Sequence, residues 1–347
     1  MIRFIALLLI IVLMLSTAAC SKNETTNKGS LNNQTETADE NPANTENETA
    51  NEITSVKFCY QDGTPALTAA KLAKESPNID GVKIQYDMTN APDVLTTKVL
   101  KEEADIAIVP SNLAAQAYNK GLNYKIVGTA VWGSFYLVGT EEINDFSELK
   151  GKEIYTFGKG LTPDIVFRLV LSKNGIDPDK DVTLNYLNAA TEVAPVFISG
   201  KAKLAVFAEP MLTTVQMKKQ DAKVLFDINE EWGKATGTKM GYPQASLIVK
   251  GDLIENNRDF VEKFIEAYKE SRTWAKENPE ELGKYAEEVG ISVAKETIEK
   301  GIRWNSVESF DVKDTIDEYE AYFKAILDYD SDFIGGEIPD ENIYYKE

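Results

Sequence analysis

ADIAIVPSNLAA, residues 104–115, decides how this chain is read. Ala104–Val109 is a near-continuous apolar run of strand length, the pattern of a strand covered on both faces. Pro110 closes it, and Ser111–Asn119 takes up helical spacing at once. A buried strand that passes straight into a helix is the unit of a parallel sheet wrapped by helices.

The same unit repeats outward. Toward the N-terminus, strands are expected at Val56–Tyr60 and Val82–Tyr86, with helices at Ala66–Lys74 and Pro92–Lys101. Toward the C-terminus, Lys125–Val131 and Phe135–Gly139 read as strands. A second series then starts: strands at Glu153–Thr156, Val182–Leu187, Leu204–Phe207 and Lys223–Asp227, helices at Pro163–Lys173, Glu192–Ser199 and Met211–Lys219. Ala245–Val249 is one more strand. From Asn257 the pattern is helical, with amphipathic spacing in Glu262–Trp274, Pro279–Val289, Ala294–Lys300 and Val312–Leu327. The acidic tail from Asp328 is expected to be loose. The two series echo each other. Gly63-Thr64-Pro65 and Leu161-Thr162-Pro163 each follow a first strand, with Thr at the N-cap and Pro at the first helical position. Val109-Pro110-Ser111 and Ala208-Glu209-Pro210 each follow the closing strand. Two similar lobes are expected.

The N-terminus is of another kind. Arg3 precedes the apolar run Phe4–Leu15, and small residues follow, which is a secretory signal over 1–19. The run is short of the about 20 residues a membrane span needs. Thr17-Ala18-Ala19-Cys20 resembles a bacterial lipobox, with Thr where Leu is usual, so Cys20 is the expected lipidation site. Residues 20–52 hold eight Asn, six Thr and seven acids, with Leu31 as the one large apolar residue. Such a segment cannot offset its ordering entropy and reads as a disordered tether.

Composition removes whole classes of chemistry. The chain has 347 residues, 37 Lys+Arg against 56 Asp+Glu, a net charge of −19 and no histidine. The acidic balance argues against nucleic acid. Without histidine there is no Ser-His-Asp or Cys-His catalysis and no imidazole metal site. Cys59, the second of two cysteines, lies in an apolar strand and is expected to be buried and inert. No Walker loop, dinucleotide fingerprint, metal spacing or paired glycosidase carboxylates are present, so no catalytic residue, metal or cofactor is assigned.

In parallel sheets, ligands sit beyond the carboxyl ends of the strands, near helix N-termini. The strand-to-helix junctions therefore supply the candidate ligand-binding residues: Thr64, Asn90, Ser111, Asn112, Gly160, Thr162, Thr191 and Glu209. Trp132 and Tyr242, near the expected lobe crossings, are the aromatic candidates. Lys159 is the one cation in a junction loop. Each also has a plain structural use: Thr64, Ser111 and Thr162 as helix caps, Trp132 as core.

The lipobox, the tether and four segments carry a family resemblance. ADIAIVPSNLAA (104–115), LKGKEIYTFGKGLTPDIVFRLVL (149–171), KAKLAVFAEP (201–210) and YPQASLIV (242–249) resemble the substrate-binding lipoproteins of bacterial ABC importers, in the group that takes nitrate, sulfonate, taurine and thiamine precursors. The resemblance implies an α/β, two-lobed type II periplasmic-binding-protein fold. Each lobe would be a mixed, mainly parallel sheet flanked by helices. It implies one lobe from 53–138 plus 246–347 and another from 139–245, with Phe135–Gly139 and Ala245–Val249 as hinge strands. A monomer would capture a small organic solute, a sulfonate or a thiamine- or pyrimidine-like precursor. It would deliver the solute to an ABC permease and its ATPase, at the outer face of the cytoplasmic membrane of a bacterial envelope. Two rival readings are an enzyme on the same fold and a surface lipoprotein that binds a protein partner.

Overall fold

All the strands expected from apolar runs form, and they divide between two mixed sheets. The computed structural model describes residues 53–300 and 309–346. The expected signal 1–19, the lipidation site Cys20 and the tether 20–52 lie outside the described residues. The strands are β1 (Ser55–Gln61), β2 (Asn78–Ile79), β3 (Val82–Thr89), β4 (Ile106–Pro110), β5 (Tyr124–Trp132), β6 (Phe135–Gly139), β7 (Glu153–Phe157), β8 (Thr183–Leu187), β9 (Leu204–Ala208), β10 (Lys223–Asp227) and β11 (Pro243–Lys250). One sheet has the order β2-β3-β1-β4-β11-β5, the other β10-β6-β9-β7-β8.

These orders are one plan used twice. In the first sheet the parallel trio β3-β1-β4 is followed by β11, antiparallel to both β4 and β5. In the second, the parallel trio β8-β7-β9 is followed by β6, antiparallel to both β9 and β10. The echo of the two sequence series is thus an echo of topology. The reversed strand of each sheet is the one that arrives after the chain has crossed over.

The helices are α1 (Thr64–Thr68), α2 (Ala70–Glu75), α3 (Pro92–Leu100), α4 (Ser111–Asn119), α5 (Thr162–Lys173), α6 (Ala190–Ile198), α7 (Met211–Lys218), α8 (Ile228–Thr236), α9 (Gly251–Asn256), α10 (Arg258–Glu277), α11 (Pro279–Val289), α12 (Lys295–Glu299) and α13 (Ile316–Tyr329). Alternation along the central strands feeds both faces of the first sheet. Phe58, Ile106 and Ile108 pack in a core with residues of α1, α2, α10 and α11. Their neighbours Cys59, Ala107 and Val109 join a core that runs through α4 and α13 into the second sheet. Both faces are covered, which is why the strands read as unbroken apolar runs. Burial pushes the Cys59 thiol up to about 12, so it stays protonated and inert.

Several expectations change. The helix expected at Ala66–Lys74 is two short helices meeting at Ala69. Thr64, Ser111 and Thr162 are not N-caps. Gly63, Pro110 and Leu161 hold that position, and the three hydroxyl residues are the first helical ones. α8 and α9 occupy stretches with no helix expected. The tail from Asp328 is packed rather than loose. Its acids face outward, while Ile334 and Ile343 are buried and Tyr345 N donates to Ile126 O at 2.9 Å.

The chain passes between the sheets at Gly133-Ser134, after β5, and at Gly237–Tyr242, before β11. β6 pairs wholly within the second sheet and β11 wholly within the first, so the sheets part at these connections rather than inside the strands. The two passes are tied together. Gly133 N donates to Tyr242 O at 3.0 Å, and Asn229 Oδ1 accepts from Tyr242 N at 3.3 Å. A Cβ at Gly133 or Gly241 would run into the Asn229 side chain, and Gly241 also has a φ of +87°. Both glycines are required by close approach.

Candidate functional site

A cavity of about 310 Å³ lies at the carboxyl ends of the parallel strands of both sheets. Gln61 ends β1 and Asp62–Pro65 follow it, Asn90 follows β3, Val109-Pro110 end β4, Phe157 ends β7, Ala189–Thr191 follow β8, and Ala208–Met211 end β9 and begin α7. This is where the junction rule places ligands, and the volume is that of a small-molecule pocket. The lining is largely carbon: Phe135, Phe157, Met211 and Val293 supply apolar faces.

Its polar groups come from both sheets. The hydroxyl of buried Thr64, on the first sheet's side, donates to the carbonyl O of Glu209, on the second sheet's side, at 2.6 Å. Glu209 Oε2 accepts from Thr213 N at 3.1 Å and Thr213 Oγ1 at 2.9 Å, which holds the carboxylate at the start of α7. Asp62 Oδ1 accepts from Gly63 N at 2.8 Å and from Ser292 N, in the loop before α12, at 3.2 Å. Gln244 Oε1 accepts from Ser134 N at 2.8 Å and Ser134 Oγ at 3.0 Å. Asn90 and Thr191 are exposed at the rim. A second bridge, Thr214 Oγ1 to Thr297 Oγ1 at 3.1 Å, joins α7 to α12 nearby. No lysine or arginine is among the described residues that line the cavity.

Of the candidates from sequence, Thr64, Asn90, Thr191 and Glu209 are brought together here. Ser111, Asn112, Gly160 and Thr162 are drawn instead into a buried polar belt between the sheets. Ser111 Oγ meets Ser246 Oγ at 2.7 Å, and Ser246 Oγ meets Tyr319 OH at 2.7 Å. Thr129 Oγ1 lies 3.2 Å from the same phenol. Asn112 Nδ2 donates to Gly160 O at 3.2 Å and Phe333 O at 3.1 Å, while its Oδ1 accepts from Thr162 Oγ1 at 3.2 Å. Thr162 Oγ1 also meets Tyr322 OH at 2.8 Å. Tyr319 and Tyr322 lie on α13, three residues apart and so on one face. Burial pushes the Tyr319 phenol up to about 12 and the Tyr322 phenol higher, so both remain donors.

Trp132 and Tyr242 do not line the cavity either. Trp132 is buried, with Nε1 donating to Ser309 O at 2.9 Å. Tyr242 is buried behind the pocket wall, stacked on Phe135 at 6.1 Å and edge-on to Trp232. Lys159 stands over the Tyr186 ring at 5.4 Å, outside the lining. Phe135, Phe157 and Met211 were not foreseen as lining. As apolar residues at strand and helix ends they read as core. Ser292 and Val293 come from the loop between α11 and α12, and nothing in their local sequence marks them.

Two facing sheets of one topology, joined by paired crossings and enclosing a cavity at their strand ends, form the two-lobed α/β fold of type II periplasmic binding proteins. The comparisons give the family. Residues 79–282 match the model described as "NMT1/THI5 like", and the chain belongs to that family. YtlA of Bacillus subtilis (strain 168), to which a binding role is given by name, is 27% identical over 201 residues. That match spans 56% of this chain and 58% of YtlA. Among solved structures, an ABC transporter protein from Parabacteroides distasonis is 26% identical with a TM-score of 0.69, covering 85% of this chain and 99% of that one. The periplasmic aliphatic sulphonate-binding protein SsuA of Escherichia coli is 14% identical, TM-score 0.66, over 84% of this chain and 92% of that one. The periplasmic nitrate-binding protein NrtA of Synechocystis PCC 6803 is 13% identical, TM-score 0.62, over 82% and 84%. Both are binding proteins by name, and they share the fold.

Proposed function

We propose that the chain is the solute-binding component of an ABC importer. It would be held at the outer face of the membrane by lipid on Cys20 and would hand a small organic solute to the permease. The observation that carries this reading is the cavity built from the strand ends of both sheets and bridged by Thr64 and Glu209. A solute seated there touches both sheets at once, so it favours the closed arrangement over any open one. On this reading the two lobes, expected at 53–138 plus 246–347 and at 139–245, divide instead at Gly133-Ser134 and Gly237–Tyr242, which are the pivots, because β6 pairs within the second sheet and β11 within the first. Phe135, Phe157 and Met211 favour a solute with an apolar or ring face over an inorganic anion.

The test is a thermal-shift screen of transported metabolites against the full chain, followed by small-angle scattering on every hit. A binder present at 100 times its Kd should add about 2.7 kcal/mol of stability. It should also reduce the radius of gyration. Hits that stabilise without compaction would overturn the closure reading. For the anchor, Cys20→Ala should abolish palmitate labelling and membrane fractionation.

A further inference from the structure

We infer that Gln244 reads the solute through its side-chain N–H groups, so that the solute presents a hydrogen-bond acceptor from an apolar or ring body; this deepens the solute-binding reading above and rests on it. Three observations carry it. The first is the backbone at Gln244. Along β11 the register with β5 runs from Pro243 opposite Trp132 to Ala245 opposite Val131, two steps on one strand against one on the other. Gln244 is the extra residue, and pairing with β4 begins only at Ala245. Such a bulge takes a residue out of the ladder and re-aims its side chain.

The second observation is which way the amide is turned. Ser134 N donates and cannot accept, so the Gln244 atom 2.8 Å from it is the oxygen. Ser134 Oγ meets the same oxygen at 3.0 Å. The other polar atom is therefore Nε2, with two N–H groups. The third observation is where these stand. Gln244 is half-buried and lines the cavity, and its Nε2 has no hydrogen-bond partner among the described residues. A donor beside a largely carbon wall is satisfied by an acceptor from outside the chain. Thr64 offers no such donor, because its hydroxyl proton goes to Glu209 O. Gln61 is half-buried in the lining too, but no hydrogen bond fixes which end of its amide turns inward. Ser134 lies in one pass between the sheets and Gln244 follows the other. A solute on Nε2 therefore also polarises the oxygen that ties the two passes together.

Gln244→Glu tests this by polarity, since it keeps an oxygen for Ser134 N and turns the inward donor into an acceptor. Calorimetry on the full chain uses three flat rings of similar size: pyrazine as acceptor, benzene with neither group, and pyrrole as donor. Gln244→Glu should weaken pyrazine by up to about tenfold, the reach of one such hydrogen bond. It should leave benzene within about twofold and tighten pyrrole. Gln61→Glu is the control and should leave the order of the three unchanged. Magnetic resonance on the isotope-labelled parent supplies a second reading. The side-chain amide pair of Gln244, identified by its loss in Gln244→Glu, and the Ser134 backbone N–H should both shift with pyrazine or with any acceptor-bearing hit of the thermal-shift screen. Pyrazine and benzene weakened alike, or an effect confined to Gln61→Glu, overturns the inference. Hits that stabilise the chain while both signals stay in place overturn it too, and leave the solute-binding reading intact. A screen without hits removes that reading, and this inference with it.

Discussion

Thr64 and Thr162 occupy the same place in the two sheets. Each is followed by Pro, and each opens the helix after the central strand of a parallel trio. Their surroundings are opposite. Thr64 faces the cavity and donates to Glu209 O, whereas Thr162 is locked between Asn112 and Tyr322. The closing junctions are exchanged in the same way. Ser111, after β4, lies in the belt, and Glu209, after β9, lies in the cavity. The sheets thus face each other crosswise: the first junction of one meets the last junction of the other, twice. One meeting is left hollow. The other is filled by Tyr319 and Tyr322 from α13. Equivalent places in one topology become a cavity or a structural joint according to whether a later element fills them.

The largest expected effect breaks the filled meeting. Tyr322→Ala removes a fully buried ring and its bond to Thr162, which should cost about 3–5 kcal/mol in urea unfolding. A loss no greater than that of a cavity-side variant would show that the belt is not the joint. Next comes the crossing itself. Gly241→Ala sets a Cβ against Asn229 at a positive φ and should cost about 1–3 kcal/mol. Asn229→Ala in the same chain should recover part of that loss, and additive losses would refute the clash. Tyr319→Phe is milder. It keeps the ring and removes the hydroxyl shared with Ser246 and Thr129, for about 1 kcal/mol.

The comparison also marks how far the sequence carries. Strands buried on both faces announce themselves as apolar runs, so ADIAIV placed the sheet and the Thr-Pro pairs placed the helices that follow. The junction rule reaches Thr64, Asn90, Thr191 and Glu209, which line the cavity, because it depends on chain direction alone. It could not separate them from Ser111, Asn112 and Thr162, which obey the same rule. What separates them is Tyr319 and Tyr322, 190 and 160 residues further along than their partners Thr129 and Thr162. Phe135, Phe157 and Met211 were illegible for a different reason. An apolar side chain at a strand end looks the same whether it meets core or cavity. The tail misled through its composition, since a few apolar residues among many acids suffice to pin it.

The smallest change sharpens the comparison most. Thr64→Val keeps shape and most of the volume but deletes the donor to Glu209 O. That bond joins residues on opposite sides of the cavity, so it contributes to the closed arrangement and not to either sheet alone. A hydrogen bond of this kind is worth about 0.5–1.5 kcal/mol, so affinity for a bound probe should fall by up to about tenfold. Ligand-free unfolding should move less than it does in Tyr319→Phe, because the bond spans the cavity and is lost whenever the sheets part. Thr64→Ser, which restores the hydroxyl, should restore affinity. A loss of ligand-free stability as large as that of Tyr319→Phe would mean that Thr64 works as a joint in the manner of Thr162. An unchanged affinity would mean that the bridge to Glu209 plays no part in closing the cavity.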